Sequence, residues 1–290
     1  MKQKLKITIQ GGQASFHDMA TRQYFAGHPV ELLECMTFGQ LCDALVNRKV
    51  DLAVMAIENT LAGSILPNYT LLESLPLRII GETYLRIQQN LMALPGQKIE
   101  NIQTVRSHPM ALHQCSNFLE AHPHLRAIES FDTAESAKEI RQKNLRGVAA
   151  IAGKMAANRY QLSILAAEIE NLRQNYTRFI ILKNEHYQNG VLPDKASLSF
   201  RVSHAVGSLV GVLNVFRDHG LNLSLIQSVP IPGQPNEYAF HVDLLWKNED
   251  QFYRAIEAAG PFAHGVKVLG IYKAGVIPYD RTVRQPAYIG

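Results

Sequence analysis

Cysteine is scarce in this chain of 290 residues. Cys35, Cys42 and Cys115 are an odd set with no Cys-x-x-Cys pair. That excludes a disulfide-stapled scaffold and a thiol-based zinc or redox site, and points to reduced, buried thiols. The His residues form no His-x-x-x-His or His-Glu-x-x-His spacing, and His122-Pro123-His124 reads as a polar turn. No metal site is expected. No apolar run approaches the ~20 residues of a membrane span. The N-terminal Met1-Lys2-Gln3-Lys4 runs straight into an alternating strand, without the apolar core of a signal peptide. A cytoplasmic protein with no membrane partner is the expectation. An excess of one charge is also missing, since 29 Lys and Arg stand against 25 Asp and Glu, a net +4 without clusters. That suits a small anionic substrate and excludes a nucleic-acid binder. No Gly-Lys-Ser/Thr loop, no Gly-x-Gly-x-x-Gly fingerprint, no internal repeat and no low-complexity tract is present.

The chain does have hydrophobic periodicity, in amounts (47% hydrophobic, 19% charged) ordinary for a globular protein. Its length calls for more than one core. Leu5 to Ile9 alternates as a strand and ends at Gln10-Gly11-Gly12, and Ser15 opens a helix. Phe38, Leu41, Cys42, Leu45 and Val46 sit at helical spacing behind a Thr37 cap. Val50 to Ile57 is a buried strand, a helix follows Gly63, and strand-like runs cover Leu77 to Ile87 and Asn90 to Leu94. The rhythm then restarts, with short strands at Thr104 to Arg106, Leu125 to Ser130, Val148 to Ile151 and Ser163 to Ala166. Helices are expected over Met110 to Glu120, from an Asp132 cap to Asn144, and up to about Tyr160. Strands alternating with helices imply α/β layers with largely parallel sheets. Two such runs suggest two lobes with a cleft between them.

After a linker-like stretch the pattern changes to β-α-β-β-α-β, from Ala196 to Tyr272, the split βαβ arrangement. The expected division is 1–185 for the two-lobed domain, 186–195 for the linker, 196–276 for the second domain and 277–290 for a loose tail.

Four loops at strand ends could carry chemistry. In Gly11-Gly12-Gln13-Ala14-Ser15-Phe16, glycines expose backbone N–H groups at a helix start, which suits an anion or simply a tight turn. Glu58-Asn59-Thr60-Leu61-Ala62-Gly63-Ser64 gathers a carboxylate, an amide and hydroxyls, for a polar ligand or for helix capping. In Ser107-His108-Pro109-Met110-Ala111-Leu112-His113-Gln114-Cys115, Ser107 stands where a helix cap belongs and Gln114 can face the cleft. A Cys115–His113 nucleophile is disfavoured, because such near neighbours on a helix diverge. The fourth loop, Asn175-Tyr176-Thr177-Arg178-Phe179, leads into the apolar run Ile180 to Leu182. Thr177 offers a hydrogen bond and Arg178 a fork for a carboxylate. Adjacent strand residues point to opposite faces, so the two share a cleft only if the strand begins after them. A strand-start Thr beside an Arg in an ion pair is the alternative.

In this order, the four loops resemble the prephenate dehydratase family, and Asp132-Thr133-Ala134-Glu135-Ser136-Ala137 and Ala149-Ala150-Ile151-Ala152 match it as well. The resemblance covers nearly the whole chain. It implies an α/β fold, with a two-lobed, periplasmic-binding-protein-like (type II) catalytic domain and a C-terminal ferredoxin-like βαββαβ ACT regulatory domain. Gly12 replaces the family's usual Pro, Ala14 its Gly and His17 its Ser or Thr. The regulatory Gly-Ala-Leu and Glu-Ser-Arg-Pro appear as Gly207-Ser208-Leu209 and Gln227-Ser228-Val229-Pro230.

The implied reaction is the decarboxylative dehydration of prephenate to phenylpyruvate, a carbon–oxygen lyase step of phenylalanine biosynthesis that needs no cofactor. The resemblance implies that Thr177 acts on the leaving hydroxyl and Arg178 holds a substrate carboxylate. Asn59, Thr60, Ser107 and Gln114 would orient substrate, Gly11, Gly12 and Ser15 would form a second anion site, and Phe179 would pack behind it. Phenylalanine would act as effector at Gly207, Ser208, Leu209, Asn222, Leu223, Gln227 and Ser228, in a homodimer or homotetramer. Arogenate as substrate, or a non-catalytic two-lobed small-anion binder with an ACT sensor, are the competing readings. A transcription factor ranks last, since no helix-turn-helix precedes Leu5.

Overall fold

The computed structural model describes residues 4–184, 192–231, 233–276 and 278. The first lobe runs through β1 (Leu5–Gln10), α1 (Phe16–Tyr24), β2 (Val30–Cys35), α2 (Phe38–Val46), β3 (Leu52–Asn59), β4 (Gly63–Ser64), α3 (Leu66–Ser74) and β5 (Leu77–Arg86). The second comprises β6 (Asn90–Ala93), β7 (Thr104–Ser107), α4 (Pro109–Gln114), α5 (Ser116–Glu120), β8 (Arg126–Glu129), α6 (Thr133–Gln142), β9 (Val148–Ala152), α7 (Lys154–Tyr160) and β10 (Ser163–Ala166). The chain then returns to the first lobe as β11 (Tyr176–Asn184). A third unit follows, of β12 (Lys195–Arg201), α8 (Ser208–Asp218), β13 (Asn222–Pro230), β14 (Tyr238–Leu245), α9 (Glu249–Ala259) and β15 (His264–Tyr272). The expected linker lies outside the described residues as far as 191, and the expected tail does so except for residue 278.

The first sheet has the order β2-β1-β3-β11-β5, with β4 attached to β3. β1 runs parallel to β2 and β3, whereas β11 is antiparallel to both its neighbours. The second sheet, β10-β6-β9-β7-β8, likewise joins a parallel part to two antiparallel strands. Both lobes are therefore mixed rather than largely parallel. β2 carries Glu31 and Glu34 on a sheet edge, and its polar composition hides it from a search for apolar strands. The single helix expected over Met110 to Glu120 is two, α4 and α5, hinged at Cys115.

The third unit is a four-stranded antiparallel sheet, β13-β14-β12-β15, the ferredoxin-like arrangement. One sheet face packs on α8 and α9 through Phe200, Val212, Phe216, Leu244 and Phe252. The other lies against the first lobe, so that Val229, Leu269 and Tyr272 share a buried cluster with Leu41, Met55, Ile180 and Leu182. Gly270 lets β15 approach β5, since a Cβ there would come within 2.1 Å of the Ile79 carbonyl oxygen. Lys267 of β15 donates from Nζ to the carbonyls of Leu72 (3.0 Å), Glu73 (2.6 Å) and Leu75 (3.2 Å) at the end of α3. A cation on these orphan carbonyls complements the helix dipole. Beside it, His241 is buried with its ring edge-on to Tyr69 at 5.0 Å.

Candidate active site

Between the lobes lies a cavity of about 390 Å³. The first lobe lines it with Ser15, His17, Asn59, Thr177 and Phe179, and the second with His108, Gln114 and Asp132. Gln89 lines it from the junction of β5 and β6, where the chain first crosses between lobes.

β11 is central to this wall. It begins at Tyr176, so Thr177 and Arg178 are both in the strand and diverge. Thr177 pairs with Asn59 and Leu85, and it faces the cavity together with Phe179, two residues on. Arg178 points the other way. Its Nε meets Glu82 at 2.6 Å, Nη1 meets Asp243 at 2.5 Å, and Nη2 donates to the Tyr272 hydroxyl at 3.0 Å. Lys195 Nζ reaches the same carboxylates at 3.0 and 3.1 Å. Two cations thus balance two carboxylates in a nearly dry cluster between the first lobe and the ferredoxin-like unit. Burial opposes charge on Arg178, but Asp243, Tyr272 and Glu82 outweigh it and hold its pKa well above the usual value. Burial would raise Asp243, yet Arg178 and Lys195 bring it below the ordinary carboxylate range. The expected carboxylate fork of the cleft is therefore a corrected assignment, and Arg178 instead ties the strand that bears Thr177 to the ferredoxin-like unit.

A chain of amides holds Thr177. Asn59 Oδ1 accepts from the backbone N–H groups of Leu61 and Ala62, both at 2.9 Å. That fixes the amide's orientation, with Nδ2 donating to Thr177 Oγ1 at 2.9 Å and to Asn175 Oδ1 at 2.8 Å. Asn175 Nδ2 in turn donates to Gln114 Oε1 at 3.0 Å. Because Thr177 accepts from Asn59, its own proton is left for an acceptor in the cavity. Because Gln114 accepts from Asn175, its Nε2 hydrogens are left likewise. Asn59 is thus a positioning residue for Thr177, and Asn175, which is fully buried, links the lobes.

Other expected site residues do not line this cavity. Thr60 Oγ1 donates to the Gln174 carbonyl at 3.0 Å and accepts from Tyr176 N–H at 3.0 Å, so it pins the entry to β11. Ser107 is fully buried and donates to the Ile151 carbonyl at 2.6 Å, joining β7 to β9. The cap of α4 is His108, whose Nδ1 accepts from Met110 N–H at 3.2 Å. Gly11 adopts φ +84°, and Asp132 stands so close that a Cβ at Gly11 would lie 2.9 Å from Oδ2. Glu34 and Glu135 approach Gly12, so carboxylates face the loop expected to grip an anion. Ser15 remains on the wall as the α1 cap, accepting from Asp18 N–H at 3.3 Å.

Cys115 is fully buried, and its burial, with the charge of Glu170, pushes the thiol up to about 12, so it is no nucleophile at neutral pH. Asp132 caps α6, accepting from Glu135 N–H at 2.8 Å, and burial raises its pKa above the ordinary carboxylate value. Sequence reading gave no site role to His17, Gln89, His108 or Asp132. For His17 a signal existed, since it lies in the first turn behind the Ser15 cap.

In the ferredoxin-like unit, Gly207, Ser208 and Leu209 line a cavity of about 440 Å³ formed by residues 202–210, and Gly207 caps α8 from the preceding position at φ +82°. Asn222, Leu223, Gln227 and Ser228 lie on β13, the sheet edge, and do not line that cavity.

Burial pushes His17 down to about 3 and His241 to about 4. Both folded values lie below the unfolded value, so each neutral ring stabilises the fold fully above about pH 6.5. As pH falls the unfolded chain takes up protons that the folded chain refuses. Each ring then removes about 1.4 kcal/mol of stability per pH unit, until its own folded value is reached. Urea midpoints should fall steeply between pH 6.5 and 5, and a flat dependence would contradict this assignment.

The fold and the site define a two-lobed α/β protein with a cavity between its lobes and a C-terminal ferredoxin-like unit. Residues 7–187 match the family model described as prephenate dehydratase. The bifunctional chorismate mutase/prephenate dehydratase of Escherichia coli (strain K12) is 32% identical over 282 residues, covering 96% of this chain and 73% of that protein. Arogenate dehydratase 2 of Petunia hybrida is 35% identical over 287 residues, covering 93% and 72%. Among solved structures, GqqA, described as a novel type of quorum quenching acylase, superposes with a TM-score of 0.83 at 29% identity, covering 93% of this chain and 98% of its own. The prephenate dehydratase of Arthrobacter aurescens, solved in complex with L-Phe, superposes with a TM-score of 0.84 at 24% identity, covering 93% and 90%. The chain belongs to the prephenate dehydratase family, and is a carbon–oxygen lyase. Among the described residues no helix is long and apolar enough to cross a membrane.

Proposed function

We propose that this cavity converts prephenate to phenylpyruvate, carbon dioxide and water. The observation that carries the reading is Thr177, whose hydroxyl accepts from Asn59 and so keeps its proton for a substrate oxygen. As the ring carboxylate departs as carbon dioxide, its bonding pair flows into the ring and expels the C4 hydroxyl with the electrons of the C–O bond. The hydroxide so released takes a proton from solvent to become water. Thr177 donates a hydrogen bond that strengthens as negative charge grows on that oxygen, the kind of interaction that lowers a barrier. A Thr hydroxyl is too weak an acid to protonate the oxygen beforehand. The Gln114 amide and the Ser15 turn orient the substrate, with Phe179 behind it.

An acyl-transfer reaction, raised by the quorum quenching neighbour, would need an activated nucleophile. Among the described residues no cysteine lines the cavity, and no hydrogen bond joins Ser15 or Thr177 to a histidine. The dehydratase reading is the better fit. Incubation with prephenate at neutral pH, against an enzyme-free control and with arogenate as the comparison substrate, tests it through phenylpyruvate release. No release above the control would remove it.

Phenylalanine is the proposed effector, acting at the Gly207–Leu209 loop together with Asn222, Leu223, Gln227 and Ser228 of β13. Arg178 supplies a path, because it bonds the ferredoxin-like unit while its neighbour Thr177 serves the cleft. β13 is an open sheet edge on which a second copy can add its own strand, so a homodimer, or a homotetramer built from it, is the proposed assembly. Unchanged activity in millimolar phenylalanine, with no heat of binding, would dismiss the effector. The proposed setting is the cytoplasm.

A further inference from the structure

We propose that His17 is a further substrate-contacting residue, presenting Nδ1–H as a fixed, uncharged donor to an acceptor oxygen of the molecule in the cavity. The proposal rests on the dehydratase reading for the identity of that molecule. Its basis is the way the imidazole is held. His17 lies in the first turn of α1 and is 8% exposed, with its ring on the cavity wall. Nε2 accepts from the backbone N–H of Ala56 at 3.3 Å. A neutral imidazole carries one proton, so a ring accepting at Nε2 holds that proton on Nδ1. The ring cannot turn away, because Phe179 meets it edge-on at 5.0 Å and Phe38 packs tilted at 5.6 Å. No hydrogen bond to Nδ1 is present among the described residues, and Nδ1 is not one of the sealed polar atoms left without a partner, so it opens onto the cavity, where a ligand can complete it.

The cavity wall explains why a neutral donor matters. Among the described residues no Lys or Arg lines it, and Arg178 is committed elsewhere. A carboxylate or leaving oxygen must therefore be met by dipoles held in place. Thr177 and His17 provide two of them, both lining the cavity, with His17 edge-on to Phe179. Burial keeps the ring uncharged down to about pH 3. The donor is thus constant over the working range, and adds no inflection of its own to the rate profile.

Two substitutions separate this role from simple packing. Gln at 17 offers an acceptor at the ε position, for Ala56, but no donor at the δ position. Asn offers an N–H at the δ position and loses the ε acceptor. His17→Gln should lose about tenfold to a hundredfold in kcat/KM, the range for one hydrogen bond to a charged oxygen. His17→Asn should keep most of the activity despite the greater loss of packing. The reverse order, with His17→Gln active and His17→Asn impaired in step with its melting temperature, would assign the ring to structure alone. Nitrogen-15 NMR on the wild-type protein reads the donor directly. The proton should sit on Nδ1, and its resonance should move when phenylpyruvate or prephenate is added. A proton on Nε2, or an Nδ1 signal indifferent to a saturating ligand, overturns the proposal. Should the wild-type protein leave prephenate unchanged in the rate assay, the dehydratase reading fails by itself, and the NMR titration with prephenate still decides His17.

Discussion

Thr177→Ala should lower kcat about a hundredfold or more, with a smaller change in KM and an unchanged melting temperature. The hydroxyl's proton is unused in the ground state, while its oxygen is held by Asn59 at 2.9 Å. What the substitution removes is an interaction made chiefly with charge that develops on the departing oxygen, which shows in kcat rather than KM. Thr177→Ser should recover much of the loss, because a hydroxyl remains within reach of Asn59. Thr177→Val keeps the shape and removes the donor, so it should be as slow as the Ala variant. The neighbouring amides sharpen the expectation. Asn59→Ala leaves the Thr177 hydroxyl but releases its orientation, and should cost less than Thr177→Ala. Were Thr177→Val to turn over like wild type, the residue would have no part in the chemistry.

Arg178→Met should destabilise the protein by about 3–5 kcal/mol, the cost of breaking a buried ion pair from one side. Glu82 and Asp243 would then face Lys195 alone, with two carboxylates against one cation and no water to dilute them. A residue that simply anchored substrate would behave differently, raising KM while leaving the denaturation midpoint in place. Adding Glu82→Gln to Arg178→Met restores charge balance in the cluster, so the pair should be less damaging than the sum of the single changes. Because the cluster couples β11 to the ferredoxin-like unit, Arg178→Met should also weaken any response of activity to phenylalanine. A variant with wild-type stability and a raised KM alone would return Arg178 to the cleft.

Thr177 and Arg178 also mark how far sequence alone carries. The side-by-side hydroxyl and guanidinium, with the three other loops, gave the family and the wall on which Thr177 stands. Where β11 begins was not legible, because Tyr176 and Thr177 can open a strand or close a loop equally well. That boundary decides which face each side chain takes. The partners of Arg178 were hidden for a related reason, since Glu82 lies 96 residues earlier and Asp243 in another unit. Ser107 looked like a helix cap because its neighbours are those of a helix start. Its hydroxyl instead serves the Ile151 carbonyl, a contact no local pattern reveals. β2 escaped because an edge strand tolerates Glu31 and Glu34, which an apolar-run search passes over. The capping residues Thr37 and Asp132, by contrast, were legible, since a cap is a local bond between near neighbours.

The unpartnered donor on His17 and the empty-handed proton of Thr177 point to the same wall, which carries neither Lys nor Arg. On the proposed function, this wall carries out the decarboxylative dehydration of prephenate through neutral donors. The most direct measurement is phenylpyruvate release from prephenate at neutral pH, by wild type and by Thr177→Val, against an enzyme-free control. Wild type should release phenylpyruvate far above the control, and Thr177→Val should be slower by about a hundredfold. Equal rates for the two proteins, or a wild-type rate no faster than the control, would contradict it.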